Sequence, residues 1–290
     1  MPCSLATAGL LDWYAASRRD LPWRRPGTGA WGVLVSEVML QQTPVWRVLP
    51  AYAAWMHRWP LPAALAADPA GEAVRMWARL GYPRRALRLH ATAALIDEEH
   101  DGVVPSTYAD LRRLPGIGDY TAAAVLAFAH RQRAVVLDTH VRRVLTRVFG
   151  GQQFPPATIS KPERQLAEAV LPDDPETAAT WNVAAMELGA LVCTSQSPRC
   201  EQCPLSRLCA WRVAGYPAYA GPPRRVQAYA GTDRQCRGRI LSVLRDRDDP
   251  VPARDVELAW TDAVQRDRAL VSLLCDGLVV RADEGAFALP

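Results

Sequence analysis

Apolar residues recur at the spacing of an α-helix in a succession of segments that begins at Trp23. Residues 31–42, for example, carry apolar side chains at positions 31, 34, 35, 38 and 39, which lie on one face of a helix. Proline and glycine separate these segments, and strand-like alternation is almost absent before residue 230. The pattern predicts an all-α body with helices over 31–42, 45–59, 70–80, 84–99, 107–114, 120–130, 135–149, 162–171 and 178–192.

The last part of the chain has a different pattern. Residues 215–232 are rich in proline, glycine, alanine and tyrosine, which is typical of a linker. Three helices are predicted beyond it, over 237–247, 252–260 and 266–276. Gly277 then leads into two short strands, which form a wing around residues 283–285. The predicted organisation is a body over 1–214, a linker over 215–232 and a small winged-helix-like domain over 233–290.

Positive charge is concentrated in the body, although the net charge of the chain is only +4. Residues 112–150 contain seven arginines and two aspartates, whereas residues 245–290 contain six arginines and ten acidic residues. A basic body favours a polyanionic partner such as nucleic acid, while an ordinary solvated arginine surface is the alternative.

Nothing in the sequence indicates a membrane segment or a secretion signal. The longest apolar stretches, residues 31–35 and 121–129, are too short or too interrupted to span a bilayer. The first twenty residues lack the basic start of a signal peptide and soon reach Asp12. We therefore expect a cytoplasmic protein without a membrane partner.

Four of the seven cysteines lie within 17 residues, with the spacing C-x6-C-x2-C-x5-C. In a cytoplasmic protein such clustering indicates metal ligands rather than disulfides. Four thiolates can complete a tetrahedral zinc site or hold a [4Fe–4S] cluster, and the spacing alone leaves both open. The candidate ligands are Cys193, Cys200, Cys203 and Cys209.

A glycine-rich connection, residues 114–122 (LPGIGDYTA), joins two of the predicted helices. Gly116 and Gly118 permit unusual backbone angles and a close approach of the backbone to a ligand. Amides of this turn and of the following helix start can bind an anion. The pattern is typical of a helix–hairpin–helix, which binds DNA phosphates without reading sequence. A plain helical hairpin is the alternative.

Two carboxylates stand out by their surroundings. Glu37 interrupts an apolar helical segment, where partial burial would raise its pKa and let it act as an acid near neutral pH. Asp138 follows an apolar run at the start of a predicted helix. The ordinary alternatives are a solvated glutamate on an outer helix face and an N-capping aspartate. By analogy with O-glycosides, two carboxylates flanking an N-glycosidic bond would assist departure of a base.

Seven segments together resemble the MutY-type adenine DNA glycosylases, members of the helix–hairpin–helix superfamily that includes endonuclease III. The resemblance extends over residues 10–212, nearly three-quarters of the chain. It rests on LPWR (21–24), SEVMLQQT (36–43), LGY (80–82), LPGIGDYTA (114–122), LDTHVRRV (137–144), MELGALVC (186–193) and the loop with the four cysteines.

The resemblance implies a two-lobed glycosylase body, with a six-helix lobe and an iron–sulfur lobe, and favours a [4Fe–4S] cluster over zinc. It implies excision of undamaged adenine from double-stranded DNA, at A·8-oxoguanine or A·G mispairs, in base excision repair. We accordingly expect a monomer that works in the bacterial cytoplasm, at the nucleoid.

The resemblance also assigns catalytic roles. Glu37 matches the family acid that protonates adenine N7, and Asp138 matches the carboxylate that stabilises the sugar cation or its adduct. Tyr120 stands where lyase relatives carry a Schiff-base lysine. The single lysine of the chain, Lys161, lies in a loop-like context, so that a monofunctional glycosylase is expected.

Further residues match binding positions of the family. Glu187 matches a carboxylate that reads the exocyclic amine of adenine, and Arg24 matches an arginine that lines the pocket. A target base must be flipped out of the duplex, and side chains must fill the space that it leaves. The residues that match positions contacting DNA or 8-oxoguanine are Gln41, Gln42, Thr43, Tyr82, Gly116, Gly118 and His140.

The sequence departs from the family pattern in two places. The family commonly has Gly-Asn after the catalytic aspartate, whereas this chain has Thr139-His140, as in the endonuclease III branch. His140 could donate a hydrogen bond as asparagine would, or introduce a pH dependence. The family also usually ends in a Nudix-like β-domain, for which residues 233–290 are too short and too helical. This tail is expected either to bind DNA or to serve in packing or partner docking.

Two other functions stay open. A thymine or uracil mismatch glycosylase would share the scaffold and Tyr120, but a pyrimidine has no N7 to protonate, and Glu187 argues against it. A non-catalytic iron–sulfur DNA-binding protein, with the tail as a winged helix that senses redox state, would release no base. Glu37 and Asp138 argue against that second function.

Overall fold

A computed structural model of the chain describes residues 2–221 and 229–290. Almost all of its regular structure is helical, which confirms the predicted all-α class. The helices are α1 (Pro2–Ser17), α2 (Ala30–Leu40), α3 (Val45–Arg58), α4 (Pro62–Ala67), α5 (Ala70–Met76), α6 (Arg84–Glu99), α7 (Tyr108–Arg113), α8 (Asp119–Phe128), α9 (Thr139–Val148), α10 (Lys161–Val170), α11 (Pro175–Leu191), α12 (Ala210–Val213), α13 (Asp233–Arg245), α14 (Ala253–Glu257) and α15 (Ala263–Cys275). None of them combines the length and apolar character needed to cross a membrane.

The described residues form two compact units, each assembled from separate parts of the chain. The first unit comprises residues 2–33, 106–112 and 117–221. The second comprises residues 34–105, 113–116 and 229–290.

The core of the first unit lies between helices α1, α9, α10 and α11 and the loop that carries the four cysteines. Leu10, Val144, Leu145 and Leu188 are among its fully buried side chains. Side-chain caps begin the helices here, since Asp138, Ser160 and Asp174 each accept a hydrogen bond from a backbone amide of the first turn. These caps determine where the helices of this unit start.

The core of the second unit is built on three tryptophans. Trp55 packs edge-to-face against Trp59 and Trp77, with ring centroids 4.6 and 5.7 Å apart. Helix α6 packs against α4 and α5 over this cluster. The turn between α5 and α6, which contains Tyr82, is therefore attached at both ends to buried helices.

Residues 229–290 form three helices and one antiparallel pair of strands, β1 (Val280–Arg281) and β2 (Phe287–Ala288). The predicted wing is thereby confirmed, with a tight turn at residues 283–285 between the strands. The predicted linker over 215–232 lies partly outside the described residues, which omit 222–228. Residues 229–290 belong to the same compact unit as 34–105, so an independent domain over 233–290 stays a prediction.

The structure corrects several predicted helix bounds. The helix predicted over 135–149 begins only at Thr139, because the side chain of Asp138 caps it and residues 131–138 have no regular secondary structure. The helix predicted over 70–80 ends at Met76, since Ala78 already has a positive φ of 46°. Three helices were not predicted at all, namely α1, α4 and α12.

Candidate active site and cysteine centre

Asp138 has an extended backbone conformation and lies directly before helix α9. Its Oδ1 accepts a hydrogen bond from the amide of Val141 at 2.6 Å, so the residue is a true N-cap. The side chain is nevertheless half-buried. Burial raises its pKa, and the nearby charge of His140 offsets this only in part. Asp138 thus combines the structural role of a cap with the properties of a candidate catalytic carboxylate.

Glu37 lies near the C-terminal end of helix α2 and is only 5% exposed. Its neighbours in sequence are equally buried, including Leu34, Val38 and Met39. A solvated glutamate on an outer helix face, the ordinary alternative, is therefore wrong. A buried carboxyl in an apolar helix is a candidate proton donor.

Glu187 is fully buried on α11 and accepts hydrogen bonds from two arginines. Its Oε1 accepts from the backbone amide and Nε of Arg19, at 3.0 and 2.8 Å. Its Oε2 accepts from Nη2 of Arg19 at 2.7 Å and from Nη1 of Arg24 at 2.9 Å. Burial alone would raise the pKa of Glu187, but the hydrogen bonds from Arg19 and the charge of Arg24 lower it to about 2. Glu187 is therefore an ionised carboxylate, and Arg19 is a site residue that the sequence did not reveal.

The helix–hairpin–helix turn contains two glycines with different requirements. Gly116 has a φ of +78°, and a Cβ there would lie 2.8 Å from Cδ of Arg88, so that the fold itself demands glycine. Gly118 has a φ of −91°, and a Cβ there would meet nothing within 4 Å. The fold does not explain the second glycine, whereas the close approach of a ligand would.

Tyr120 lies in the first turn of α8. It packs against a small cluster of buried apolar residues that includes Ala123, Ala124 and Val136. Packing against this cluster therefore holds Tyr120 in the first unit.

A single buried arginine links two turns of the second unit. Arg85 donates to the carbonyl oxygen of Gln41 at 2.6 Å, to Oγ1 of Thr43 at 3.1 Å and to the carbonyl oxygen of Gly81 at 3.0 Å. Thr43 Oγ1 in turn donates to the carbonyl oxygen of Leu80 at 3.2 Å. The turn over residues 41–43 and the turn that contains Tyr82 are therefore joined into one structure.

Gln42 and Tyr82 occupy the tips of these two turns. Both have a positive φ, 55° and 47°, although neither is glycine. The ring of Tyr82 is 48% exposed, and Gln42 is also exposed. Strained backbone that presents polar and aromatic side chains to solvent is typical of a binding surface.

His140 is connected to the loop that begins with Cys193 through a second buried arginine. Arg143 Nη2 lies 3.0 Å from His140 Nδ1. Arg143 also donates to the carbonyl oxygens of Gly189 and Cys193, both at 2.7 Å. His140 packs closely on Gly189. A Cβ added at Gly189 would lie only 2.6 Å from the Cβ of His140. Thr139-His140 is therefore accommodated by a glycine on the neighbouring helix.

The four cysteines line one pocket, together with Arg147, Val192 and Trp211. Burial, with a smaller contribution from the charges of the other three cysteines, raises the pKa of Cys203 to about 12. Such thiols become thiolates only when a positive centre is bound among them, so the donor set fits a metal cluster. Arg147 is almost fully buried, and its Nη1 lies 3.4 Å from Sγ of Cys193.

The predicted site residues fall into two groups, one in each unit. In the first unit, Glu187 and Arg24 are in direct contact, and Asp138 and His140 share the start of α9. The members of the first group are Arg24, Gly118, Tyr120, Asp138, His140, Glu187 and the four cysteines. The members of the second group are Glu37, Gln41, Gln42, Thr43, Tyr82 and Gly116.

Two family models match separate regions of the chain. The model of the HhH-GPD superfamily of base excision DNA repair proteins matches residues 35–172. The iron–sulfur binding domain of endonuclease III matches residues 193–209. The second match includes all four cysteines, so the loop is an iron–sulfur binding site.

Curated relatives match along the whole chain. The adenine DNA glycosylase of Mycobacterium tuberculosis (strain ATCC 25618 / H37Rv) is 52% identical over 290 residues, which covers 100% of this chain and 95% of the relative. That of Mycolicibacterium smegmatis is 54% identical over 287 residues, covering 99% and 96%. A solved thermostable thymine-DNA glycosylase superposes with a TM-score of 0.66 at 26% identity, covering 73% of this chain and 97% of that one. The resemblance seen in the motifs is thereby confirmed, and the chain belongs to the adenine DNA glycosylases of the HhH-GPD superfamily.

Proposed function

We propose that the protein is a monofunctional glycosylase that releases adenine paired with 8-oxoguanine or guanine in double-stranded DNA. The observation that carries this proposal is the burial of Glu37 in an apolar helix. Adenine offers N7 as a site for protonation, and a pyrimidine does not. The names of the relatives that match along the whole chain support adenine as the excised base.

In this proposal the two carboxylates have different tasks in breaking the glycosidic bond. Glu37 donates a proton to N7 of adenine as the bond between C1′ and N9 breaks, and the bonding electrons pass to the base. Asp138, in its ionised form, stabilises the positive charge on the sugar until water adds at C1′. Tyr120 has no amine and cannot form an imine with the sugar, so no strand cleavage follows.

The remaining residues of the two groups bind the substrate. We assign Glu187, Arg19 and Arg24 to the pocket for the flipped adenine, with the arginines held in place by the buried carboxylate. Gln42 and Tyr82, exposed on linked turns, contact the base opposite adenine and fill the stack. Gly118 leaves the backbone open to a phosphate of the DNA.

Single-turnover base release on a set of matched duplexes tests the proposal. The duplexes carry A opposite 8-oxoguanine, A opposite G, A opposite T, T opposite G and U opposite G. We expect release of adenine only, from the first two duplexes, with strand cleavage only after alkali. Release of thymine or uracil would contradict the proposal, and cleavage without alkali would contradict the monofunctional mechanism.

The pH dependence of base release should report on Asp138. Burial raises the pKa of this carboxyl above that of an ordinary aspartic acid. Its ionised form is therefore lost at a higher pH than usual as the solution is acidified. We expect the acid limb of the single-turnover rate to lie above the ordinary aspartate pKa of about 3.9. A rate that stays flat down to that pH would contradict the role of Asp138.

We further propose that the iron–sulfur cluster is [4Fe–4S], held by Cys193, Cys200, Cys203 and Cys209. When bound, the cluster would supply positive charge that offsets part of the negative charge of the four thiolates, and it would fix the loop. Replacing Cys203 by Ser should abolish the brown colour and lower the iron and sulfide content from about four each per chain. Cys275→Ser, at an exposed position outside the loop, is the control and should keep both. An iron-free, zinc-containing wild-type protein would contradict the assignment.

A further inference from the structure

We propose that the C-terminal segment, residues 229–290, positions the turn that carries Tyr82. The segment would thereby influence recognition of the base opposite adenine without contacting the DNA itself. The part that concerns recognition rests on the proposed function of Tyr82. The segment and the turn belong to the same compact unit.

The first contacts lie just before the turn, on helix α5. Arg75 Nη1 donates to the carbonyl oxygens of Arg245 and Arg247, at 2.5 and 2.8 Å. In return, Arg245 Nε donates to the carbonyl oxygen of Val74 at 3.0 Å. Two arginine side chains thus connect α5 to the end of α13, and both hydrogen-bond to backbone, so the backbones of the two elements are fixed to each other.

A second contact on α5 depends on a glycine. The amide of Gly71 donates to the carbonyl oxygen of Pro290 at 2.5 Å. A Cβ at residue 71 would lie 2.3 Å from that same oxygen, so no other residue fits while the segment is in place. Gly71 is thus explained by the close approach of the C-terminal segment.

A third contact lies just after the turn, at the start of α6. Arg84 Nη1 lies 3.4 Å from Oδ1 of Asp276. Oδ2 of Asp276 accepts from Arg237 Nη2 at 2.6 Å, which holds the carboxylate in place. The C-terminal segment therefore contacts the chain on both sides of residues 77–83.

The turn between these contacts is one that needs support. Ala78 and Tyr82 have positive φ angles of 46° and 47°, which are unfavourable for residues with a Cβ. Arg85 holds the inner side of the turn, at Gly81. The contacts at residues 74–75 and 84 hold its two ends. Loss of the contacts at residues 74–75 and 84 should allow the turn to open locally.

Direct reading of DNA by the segment is disfavoured by its charge. Residues 229–290 contain nine arginines and eleven acidic residues, so the segment lacks the excess of positive charge that binding to phosphates requires. The two charged arginines in the middle of α15 are engaged within the segment. Arg268 pairs with Asp233 at 2.7 Å, and Arg266 donates to the carbonyl oxygen of Glu257 at 3.1 Å. The acidic composition agrees with a role in packing on the second unit.

Hydrogen exchange on the whole protein tests whether the C-terminal segment positions the turn. Arg245→Gln and Arg75→Gln each remove contacts before the turn, and the milder Asp276→Asn weakens the contact after it. We expect amides of residues 77–83 to exchange about tenfold faster in the two glutamine variants and less so in Asp276→Asn. Arg75→Lys should restore part of the protection. Arg268→Gln, which removes a pair inside the segment, is the matched control and should leave exchange at 77–83 unchanged.

Rates of base release test whether the segment influences recognition of the base opposite adenine. The ratio of single-turnover rates at A·8-oxoguanine and A·G should fall by about threefold or more in Arg245→Gln and stay constant in Arg268→Gln. Unchanged exchange at 77–83 in both glutamine variants would overturn the proposal, and so would faster exchange with an unchanged rate ratio. If the wild-type protein itself showed no preference for 8-oxoguanine, the role of Tyr82 would fail, while the exchange data would still decide whether the segment positions the turn.

Discussion

Replacement of Glu37 by Gln should slow adenine release by about 10²- to 10⁴-fold, the usual contribution of a general acid. The amide has nearly the same shape as the carboxyl but cannot transfer a proton. Because Glu37 is only 5% exposed, no solvent-borne acid can readily take its place at the same position. The loss should therefore appear in the chemical step, measured as single-turnover release from an A·8-oxoguanine duplex.

Binding of the same duplex should be preserved in Glu37→Gln, because the turns that we propose to contact DNA are untouched. Glu99→Gln, at an exposed carboxylate paired with Arg113, is the control and should react at the wild-type rate. Asp138→Asn extends the test to the second carboxylate. Asparagine caps a helix about as well as aspartate, so α9 keeps its start while the negative charge is lost. Turnover at the wild-type rate in either variant would contradict the proposed mechanism.

Local signals were sufficient to predict much of the fold. The apolar period placed α6 over residues 84–99 without error, and the proline before α3 marked its start at Val45. The pattern L-P-G-I-G placed the turn before α8 within one residue. Each of these features depends on interactions between neighbours in the sequence, which is why the sequence reveals them.

Features that depend on distant partners were not predictable in this way. The helix predicted over 135–149 was four residues too long at its start, because a short apolar run outside regular secondary structure has no period that distinguishes it from a helix. Helix α1 was missed, since its buried positions, Ala6, Leu10 and Tyr14, are defined by packing on α11 rather than by a strong local pattern.

The same limit applies to the candidate site. Glu187 was found by its motif, but its ion pair with Arg19 joins residues 168 positions apart, and no local pattern connects them. Likewise, the sequence around Gly71 predicts only an ordinary helical glycine. The structure shows that the carbonyl oxygen of Pro290 lies against it. Residues of this kind are defined by tertiary contacts and require the structure.

Replacement of Glu187 by Gln should destabilise the protein by about 1–3 kcal/mol, because the donors of Arg19 and Arg24 lose their charged acceptor while both arginines stay partly exposed to water. A carboxylate offers about four lone-pair sites, and four donors from Arg19 and Arg24 already fill them. The amide of glutamine loses the negative charge and turns an N–H group towards these donors. Thermal unfolding of the variant should show the loss directly.

The pH dependence of stability should change with it. The pKa of Glu187 lies at about 2 in the folded chain, below the 4.5 of an ordinary glutamate. The stabilisation from its ionised form is fully present above pH 4.5 and is lost as the pH falls through that value towards 2. The wild-type protein should therefore lose stability over this range, and Glu187→Gln should lose less. Equal losses in both would contradict the ion pair.

A second buried pair in the same unit separates stability from function. Arg142 donates to Glu163 at 2.6 Å, and both side chains are nearly buried, so Glu163→Gln should also destabilise the fold. If the arginines beside Glu187 bind adenine, Glu187→Gln should slow adenine release at temperatures where it is fully folded, while Glu163→Gln should not. A normal rate in folded Glu187→Gln would show that the ion pairs of Glu187 with Arg19 and Arg24 serve only the stability of the fold. Slow release in Glu187→Gln alone would instead place Arg19, which no local pattern identified, beside the substrate.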